Sequence, residues 1–378
     1  LDLKKSEDLE TARNLIQSAD VVIENFRPGV MDRLGLGADA VTGLNPGLVY
    51  LSLPGFASTD EKASIRAFEG IISAAIGQYT DLQATRRIYE AAPPIYTPMP
   101  LGSTYGAIHG AIAVTLALYA REESGQGEII ESSLVGAAMS AMAVILLDVA
   151  DKPNRYGGNP SESRRKAIAE ANEKIREEGE SAVVEVLRQS GGSGGSPFSG
   201  TFQAGDGQWL YIISSGHTRN SRSLAKALEV YGDLIADGMV DVPLYENLEP
   251  TNNIPDSSHL SKEWNQKARE RIEAVLASEP AQHWVDVLTA AGVPCAIQRT
   301  SQDWLHRPEI EEAALAVVVD DAEYGPTRQL GVQTRLAKTP DEDVIPKPSR
   351  PFTGSIEPKS SNGKTAPSSK PILEGIRI

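Results

Sequence analysis

The chain holds a single cysteine, Cys295, in 378 residues. That excludes an intramolecular disulfide and a cysteine-based zinc site, and it suits a reducing, cytoplasmic compartment. Histidine is nearly as scarce: five are scattered without an HExxH or similar spacing, so no metal site is predicted. Positive charge is in deficit, with 36 Lys and Arg against 51 Asp and Glu and a net charge of −15. Nonspecific binding to nucleic acid or to an anionic membrane is disfavoured, and a site for an anionic ligand has to gather the few cations locally. No run of about 18 unbroken apolar residues occurs, the length a membrane helix needs. The richest stretch, Ala137 to Ala150, reads as a core helix.

What is present is alternation. Residues 1 to 150 begin with an extended Leu1-Asp2-Leu3 and a helix that Ser6 can cap, with Leu9, Ala12, Leu15 and Ile16 on one face. A strand at Val21-Val22-Ile23, a helix over Asp39 to Leu44 and a strand over Leu48 to Leu53, ended by Pro54-Gly55, come next. Ala67 to Gly77 is weakly helical, and Thr80 to Pro100, polar and proline-rich, reads as a loop. A small-residue helix over Thr104 to Arg121, a strand over Glu128 to Ser133 and a helix over Leu134 to Ala150 complete the half. This βα order predicts an α/β fold with a mostly parallel sheet covered by helices.

From Asp151 to Gln189 the composition turns to Arg, Lys, Glu and Ala, a solvated helical insertion. Ser190 to Ser199 is rich in glycine, either a flexible linker or a mobile lid whose backbone N–H groups approach a ligand. Gly200 to Ser215 reads as a hairpin around Gly205-Asp206-Gly207. Helices over Ser221 to Tyr231, Lys262 to Ser278 and Ala281 to Ala291 precede an extended Val293 to Ile297, where Cys295 is a structural thiol. Together these make a smaller α+β unit. Strands over Ala314 to Asp320 and Gln329 to Leu336 lead to a Pro/Ser/Lys/Gly linker over 339–371. The chain opens at Leu1 without methionine and closes on Ile376-Arg377-Ile378, which reads as a strand beginning, so a piece of a longer protein is expected.

The stretch Ala19 to Gly37 carries the most chemistry. The β-branched run Val21-Val22-Ile23 reads as a buried strand, broken at Glu24-Asn25-Phe26-Arg27-Pro28-Gly29, with Pro28 suited to the first turn of a following helix. In an open α/β sheet a strand end of this kind is where ligands sit. Asn25 offers amide hydrogen bonds, Phe26 a face for stacking, and Arg27 and Arg33 charge for an anion. Read by composition alone, the same residues make a solvated corner.

In order, ADVVIENFRPGVMDRLGLG, Leu48 to Leu53 with Gly55-Phe56, REESGQGEIIESSL (Arg121 to Leu134) and Ala291-Gly292-Val293-Pro294-Cys295 resemble the family III CoA-transferases, which include formyl-CoA transferase, carnitine CoA-transferase and α-methylacyl-CoA racemase. The resemblance implies a Rossmann-like large domain and a small α+β domain, with two protomers interlocked as rings. It implies coenzyme A, as acyl-CoA, for substrate, a small carboxylate as second substrate, and no metal. Carried over by motif, the CoA contacts are Leu1, Asp2, Leu3, Lys4, Asn25, Phe26, Arg27, Arg33, Arg66, Ala67 and Phe68, with Glu69 beside them in a catalytic role. Gly191, Gly192, Gly194 and Gly195 take the place of the family's substrate loop.

The family's nucleophile is an aspartate whose carboxylate attacks the thioester to give a mixed anhydride and then an aspartyl-CoA. Its place here is Ser103, in Pro100-Leu101-Gly102-Ser103, and a serine with no evident base beside it in sequence cannot form that anhydride. The tyrosine that usually precedes Glu69 is Phe68. The resemblance thus implies a degenerate first domain of a tandem protein, similar to the CoA-transferase-type dimethylsulfoniopropionate lyases, with partnership to a second family domain in the same chain or an interlocked dimer. The expected layout is 1–185 for the large domain, 186–200 for the glycine-rich loop, 201–300 for the small domain, 301–338 for a return to the large domain, 339–371 for the linker and 372–378 for the start of the next domain. A non-catalytic CoA-binding or scaffold module and an acyl-CoA racemase stay open as alternatives; for the racemase His109 is the only nearby histidine, on an apolar helix.

Overall fold

The structure, a computed structural model, describes residues 1–81, 89–146, 162–179, 181–183, 186, 196–214, 218–243, 252–331 and 333–335. They fall into two compact units, one made mainly of residues up to 159 and the other mainly of residues from 181 on.

The first unit is built on a parallel sheet in the order β1 (Val21–Glu24), β2 (Val49–Ser52), β3 (Ile129–Glu131). Central β2 is buried on both faces, as a parallel strand under helices has to be. Leu48 and Tyr50 meet Ile16, Met31, Leu36 and Val41 on one side. On the other, Leu51 meets the Leu101–Ser124 helix so closely that a Cβ at Gly110 would stand 2.8 Å from its Cδ2. A Cβ at Gly106 would stand 2.9 Å from Leu134 Cδ2, so the buried stripe Gly102, Gly106, Gly110 is what lets this helix approach sheet and neighbour together. By length and composition it is the one helix among the described residues long and apolar enough to cross a membrane.

Several local expectations are corrected. Leu1 to Lys4 forms no strand: Lys5 N–H donates to the Asp2 carbonyl at 2.8 Å and Asp2 N–H to Asp8 Oδ2 at 2.7 Å, closing a turn into the Ser6–Ser18 helix. Ser6 is that helix's first residue and Lys5 its flanking one, so the hydroxyl caps nothing. Leu15 lies off the apolar face at 37% exposure. The run Val21 to Ile23 is covered on one side only, because β1 is an edge strand: Val22 packs inward and Ile23 is 62% exposed.

The REESGQG motif does architectural work. Arg121 Nη1 donates to the Gly47 carbonyl at 2.9 Å and Nη2 pairs with Asp20 Oδ1 at 3.2 Å, holding the helix end to the loops that flank β1 and β2. Gly125, at φ +68°, ends the helix in the left-handed conformation. At Gly127 a Cβ would sit 1.9 Å from the Leu48 carbonyl oxygen, so only glycine fits.

In the second unit β4 (Gly200–Gln203), β5 (Trp209–Ile212) and β6 (Cys295–Ile297) form an antiparallel sheet, with the expected turn at Gly207 (φ +80°). Phe198, Phe202, Leu210 and Ile212 pack with Leu224, Ile272, Leu276 and Leu288 from the covering helices. Ser196 to Ser199 is a turn buried in this core: Ser196 donates to Ser257 Oγ at 2.9 Å and Ser214 to the Phe198 carbonyl at 2.5 Å. β7 (Ala316–Asp321) and β8 (Gly325–Leu330) form a hairpin, earlier than the expected Gln329 to Leu336. Asp321 Oδ1 accepts Glu323 N–H at 2.8 Å and Tyr324 N–H at 3.0 Å, which turns the chain before Gly325. The linker over 339–371, the segment 372–378 and Gly191, Gly192, Gly194 and Gly195 lie outside the described residues.

Candidate functional site

The three parallel strands end level. Glu24 pairs in register with Ser52, and Ser52 with Glu131, so all three last residues share one rung at the carboxyl edge of the sheet. Ligands of open α/β sheets bind at this edge.

After Glu24 the chain turns at once. Val30 N–H donates to the Arg27 carbonyl at 3.1 Å, and Gly29 takes φ +78°, the Pro-then-Gly signature of a type II turn. Pro28 therefore sits in the turn and Gly29 flanks the short Val30–Arg33 helix, which corrects Pro28 as a first-turn helix residue. Asn25 and Phe26 are exposed at the tip, Phe26 by 42%. Arg33 folds back over the turn, its Nη1 3.4 Å from where a Gly29 Cβ would lie.

Arg27 Nη1 donates to the Ser64 carbonyl at 2.7 Å, which ties the turn to the segment leading to Arg66. Arg66 is exposed, Ala67 packs against Gly55, and Phe68 is 79% exposed. The Arg27–Ser64 bond thus brings the turn carrying Asn25, Phe26, Arg27 and Arg33 against the segment that leads to Arg66. Leu3 packs into the core cluster that holds Met31, while Leu1, Asp2 and Lys4 are exposed.

Glu69 opens the Glu69–Ala75 helix, and its carboxylate reaches the start of the Leu101–Ser124 helix. Oε1 accepts Gly102 N–H at 2.7 Å; Oε2 accepts Ser103 N–H at 2.8 Å and the Ser103 hydroxyl at 2.6 Å. The carboxylate supplies the cap that Pro100 cannot, against the positive end of the helix dipole. A Cβ on Gly102 would stand 3.2 Å from Oε1, so glycine admits it. The hydroxyl of Ser103, which has no evident base beside it in sequence, therefore has one in space.

Other candidates settle simply. His109 is half-buried edge-on to Tyr105, ring centroids 6.1 Å apart. Half-buried Cys295 has its thiol pushed up to about 11 by burial, so it stays protonated near neutrality, as a structural thiol does. Burial, then Glu24 and Asp32, push the Tyr50 phenol far above its ordinary range, so it stays neutral. Among the described residues no group of three or more His, Cys, Asp or Glu could hold a metal. The Glu69–Ser103 contact and the Glu24–Ser52–Glu131 rung were missed from sequence, although each of the rung residues stands at or near the end of an apolar run.

A family model described as CoA-transferase family III matches residues 1–354. The chain is 29% identical over 407 residues to a CoA-transferase/lyase DddD of Marinomonas sp. (strain MWYL1), covering 100% of this chain and 46% of that protein. It is 27% identical over 298 residues to an acetyl-CoA:oxalate CoA-transferase of Acetobacter aceti, covering 78% and 62%. The chain thus spans less than two thirds of these relatives. A hypothetical protein from Mycobacterium tuberculosis superposes with a TM-score of 0.62 at 19% identity, over 92% of this chain and 79% of that one. A CAIB/BAIF family protein from Brucella suis does so with 0.57 at 19%, over 89% and 74%. These two likenesses are of fold.

Proposed function

The chain belongs to CoA-transferase family III, and from there we propose that it holds acyl-CoA at the carboxyl edge of its parallel sheet and serves CoA transfer to a small carboxylic acid together with a second family domain. Arg27, Arg33 and Arg66 face the polyanion's phosphates on the turn and loop that Arg27 and Ser64 join. Phe26 and Phe68, both open to solvent, offer apolar faces to the adenine and pantetheine.

One observation carries the division of labour: the Ser103 hydroxyl is committed to Glu69 at 2.6 Å. CoA transfer needs a carboxylate that attacks the thioester carbonyl and expels the thiolate, then an anhydride that the thiolate reopens at the enzyme's own carbonyl. A serine ester is a far poorer acyl carrier for that return. Glu69 has its lone pairs engaged by three donors, which lowers its nucleophilicity. The nucleophile comes, on this reading, from the second domain, in the same chain or in an interlocked dimer. Support for such a partner is the open apolar face of the Leu101–Ser124 helix, where Ile108, Ile112 and Tyr119 are 49%, 55% and 54% exposed.

Calorimetry of CoA against the whole chain, with an assay of labelled carboxylate exchange into acyl-CoA, tests this. Expected are CoA binding, no exchange by the chain alone, and exchange once the second domain is supplied. Exchange by this chain alone overturns the division of labour. Failure to bind CoA overturns the site and leaves a scaffold.

A further inference from the structure

The last rung of the sheet places two carboxylates beside the site assigned above to a polyanion. On electrostatics alone that is the wrong sign, since Glu24 and Glu131 would repel phosphate. Their hydrogen bonds supply another purpose. Glu24 Oε2 accepts Phe26 N–H at 2.7 Å, while its Oε1 accepts the hydroxyl of Ser52, its neighbour on the rung. Glu131 Oε1 accepts Ser58 N–H at 3.0 Å, 73 residues away in the chain. Arg27 then joins the two loops so held, through the Ser64 carbonyl.

We infer that the Glu24–Ser52–Glu131 rung is a positioning frame for the CoA loops: Glu24 sets the Asn25-Phe26-Arg27 turn, and Glu131 sets the Ser58-to-Arg66 segment. The inference rests on the CoA reading given above. Each carboxylate accepts a backbone N–H, and among the described residues neither is paired with a cation. These are charge-assisted bonds, stronger than neutral ones, and each ties a connecting segment to the rigid end of a strand. Ser52 completes the rung by occupying the second oxygen of Glu24, which leaves that side chain one orientation. Glu131 is itself exposed, so the frame can be loosened there without emptying a core.

The test turns on sign and rank order. In the whole chain, Glu131→Ala and Glu24→Ala are each expected to weaken CoA binding roughly five- to tenfold. Glu131→Gln and Glu24→Gln should recover most of the loss, because an amide oxygen still accepts the same N–H. If the carboxylates only repel phosphate, Ala and Gln variants bind CoA more tightly and alike, and the frame is wrong. Hydrogen exchange without ligand gives a separate reading: peptides over 25–30 in the Glu24→Ala chain and over 57–66 in the Glu131→Ala chain should exchange faster, with the Gln variants near wild type. Unchanged exchange in both Ala variants also overturns the frame. Faster exchange in a chain whose wild type binds no CoA overturns the CoA reading and leaves the frame as architecture.

Discussion

The hydroxyl of Ser103 and the carboxylate of Glu69 lie 2.6 Å apart across 34 residues of sequence, and the same carboxylate holds the backbone N–H groups of Gly102 and Ser103. The serine hydroxyl is one of three donors to a helix-capping acid. On the division of labour proposed above, the hydroxyl serves this cap and not the chemistry.

Replacing Ser103 with alanine removes one donor and leaves the two backbone bonds. We expect a stability loss of about 1 kcal/mol and less than a threefold change in any turnover of the complete protein. Thermal unfolding and steady-state rates check this; a collapse of kcat with KM unchanged would make Ser103 a catalytic residue.

Ser103→Asp tests the opposite idea, that a carboxylate at this position suffices. It would bring a second acid against Glu69, and two carboxylates in one site push one of them towards protonation. A carboxyl whose folded-state pKa is raised imposes no penalty while protonated. Its penalty grows as pH rises above the ordinary carboxylate range and saturates beyond the raised value. The variant's melting deficit should therefore be larger at pH 7 than at pH 4, with no exchange activity from this chain alone. A variant as stable as wild type at pH 7, and active, would refute both expectations.

The second unit carries its own acid sensitivity. Arg222 Nε donates to Asp241 Oδ2 at 2.6 Å and the Tyr231 hydroxyl to the same atom at 2.7 Å. The Arg222 bond, then that from Tyr231, holds the Asp241 carboxyl below its ordinary range against the opposing effect of burial. A depressed folded-state pKa contributes stability that is present above the unfolded value, about 3.9, and lost as pH falls through the folded one. Asp241→Asn should lower the melting temperature at pH 7 and make the loss between pH 5 and pH 2 shallower. Parallel acid profiles for the two chains would remove Asp241 from the account.

Much of the fold was legible because its signals are local. The runs Val21 to Ile23 and Leu48 to Leu53 announce strands by β-branching and length, and Gly205-Asp206-Gly207 announces its hairpin by the conformations glycine allows. The exposure of Ile23 was not legible, because it depends on β1 standing at the sheet edge, which pairing decides and the run itself does not record. Ser6 misled for a related reason: the turn that Asp2 and Asp8 close fixes where the helix begins. At the site, Asn25, Phe26 and Arg27 could be found as an amide, an aromatic ring and a cation directly after a strand. Glu24, Ser52 and Glu131 gain their meaning only from the register of three strands, and Glu69 with Ser103 only from the packing of two helices.

Arg121, Gly125 and Gly127 hold a helix end, a turn and a strand together without touching the site residues. Each of the three letters of that turn therefore answers to a neighbour in the scaffold: a carbonyl and a carboxylate for the arginine, a left-handed bend for the first glycine, a carbonyl oxygen for the second. The motif thus marks how the sheet and its longest helix are fastened, a matter of assembly that is separate from whatever reaction the sheet's edge serves.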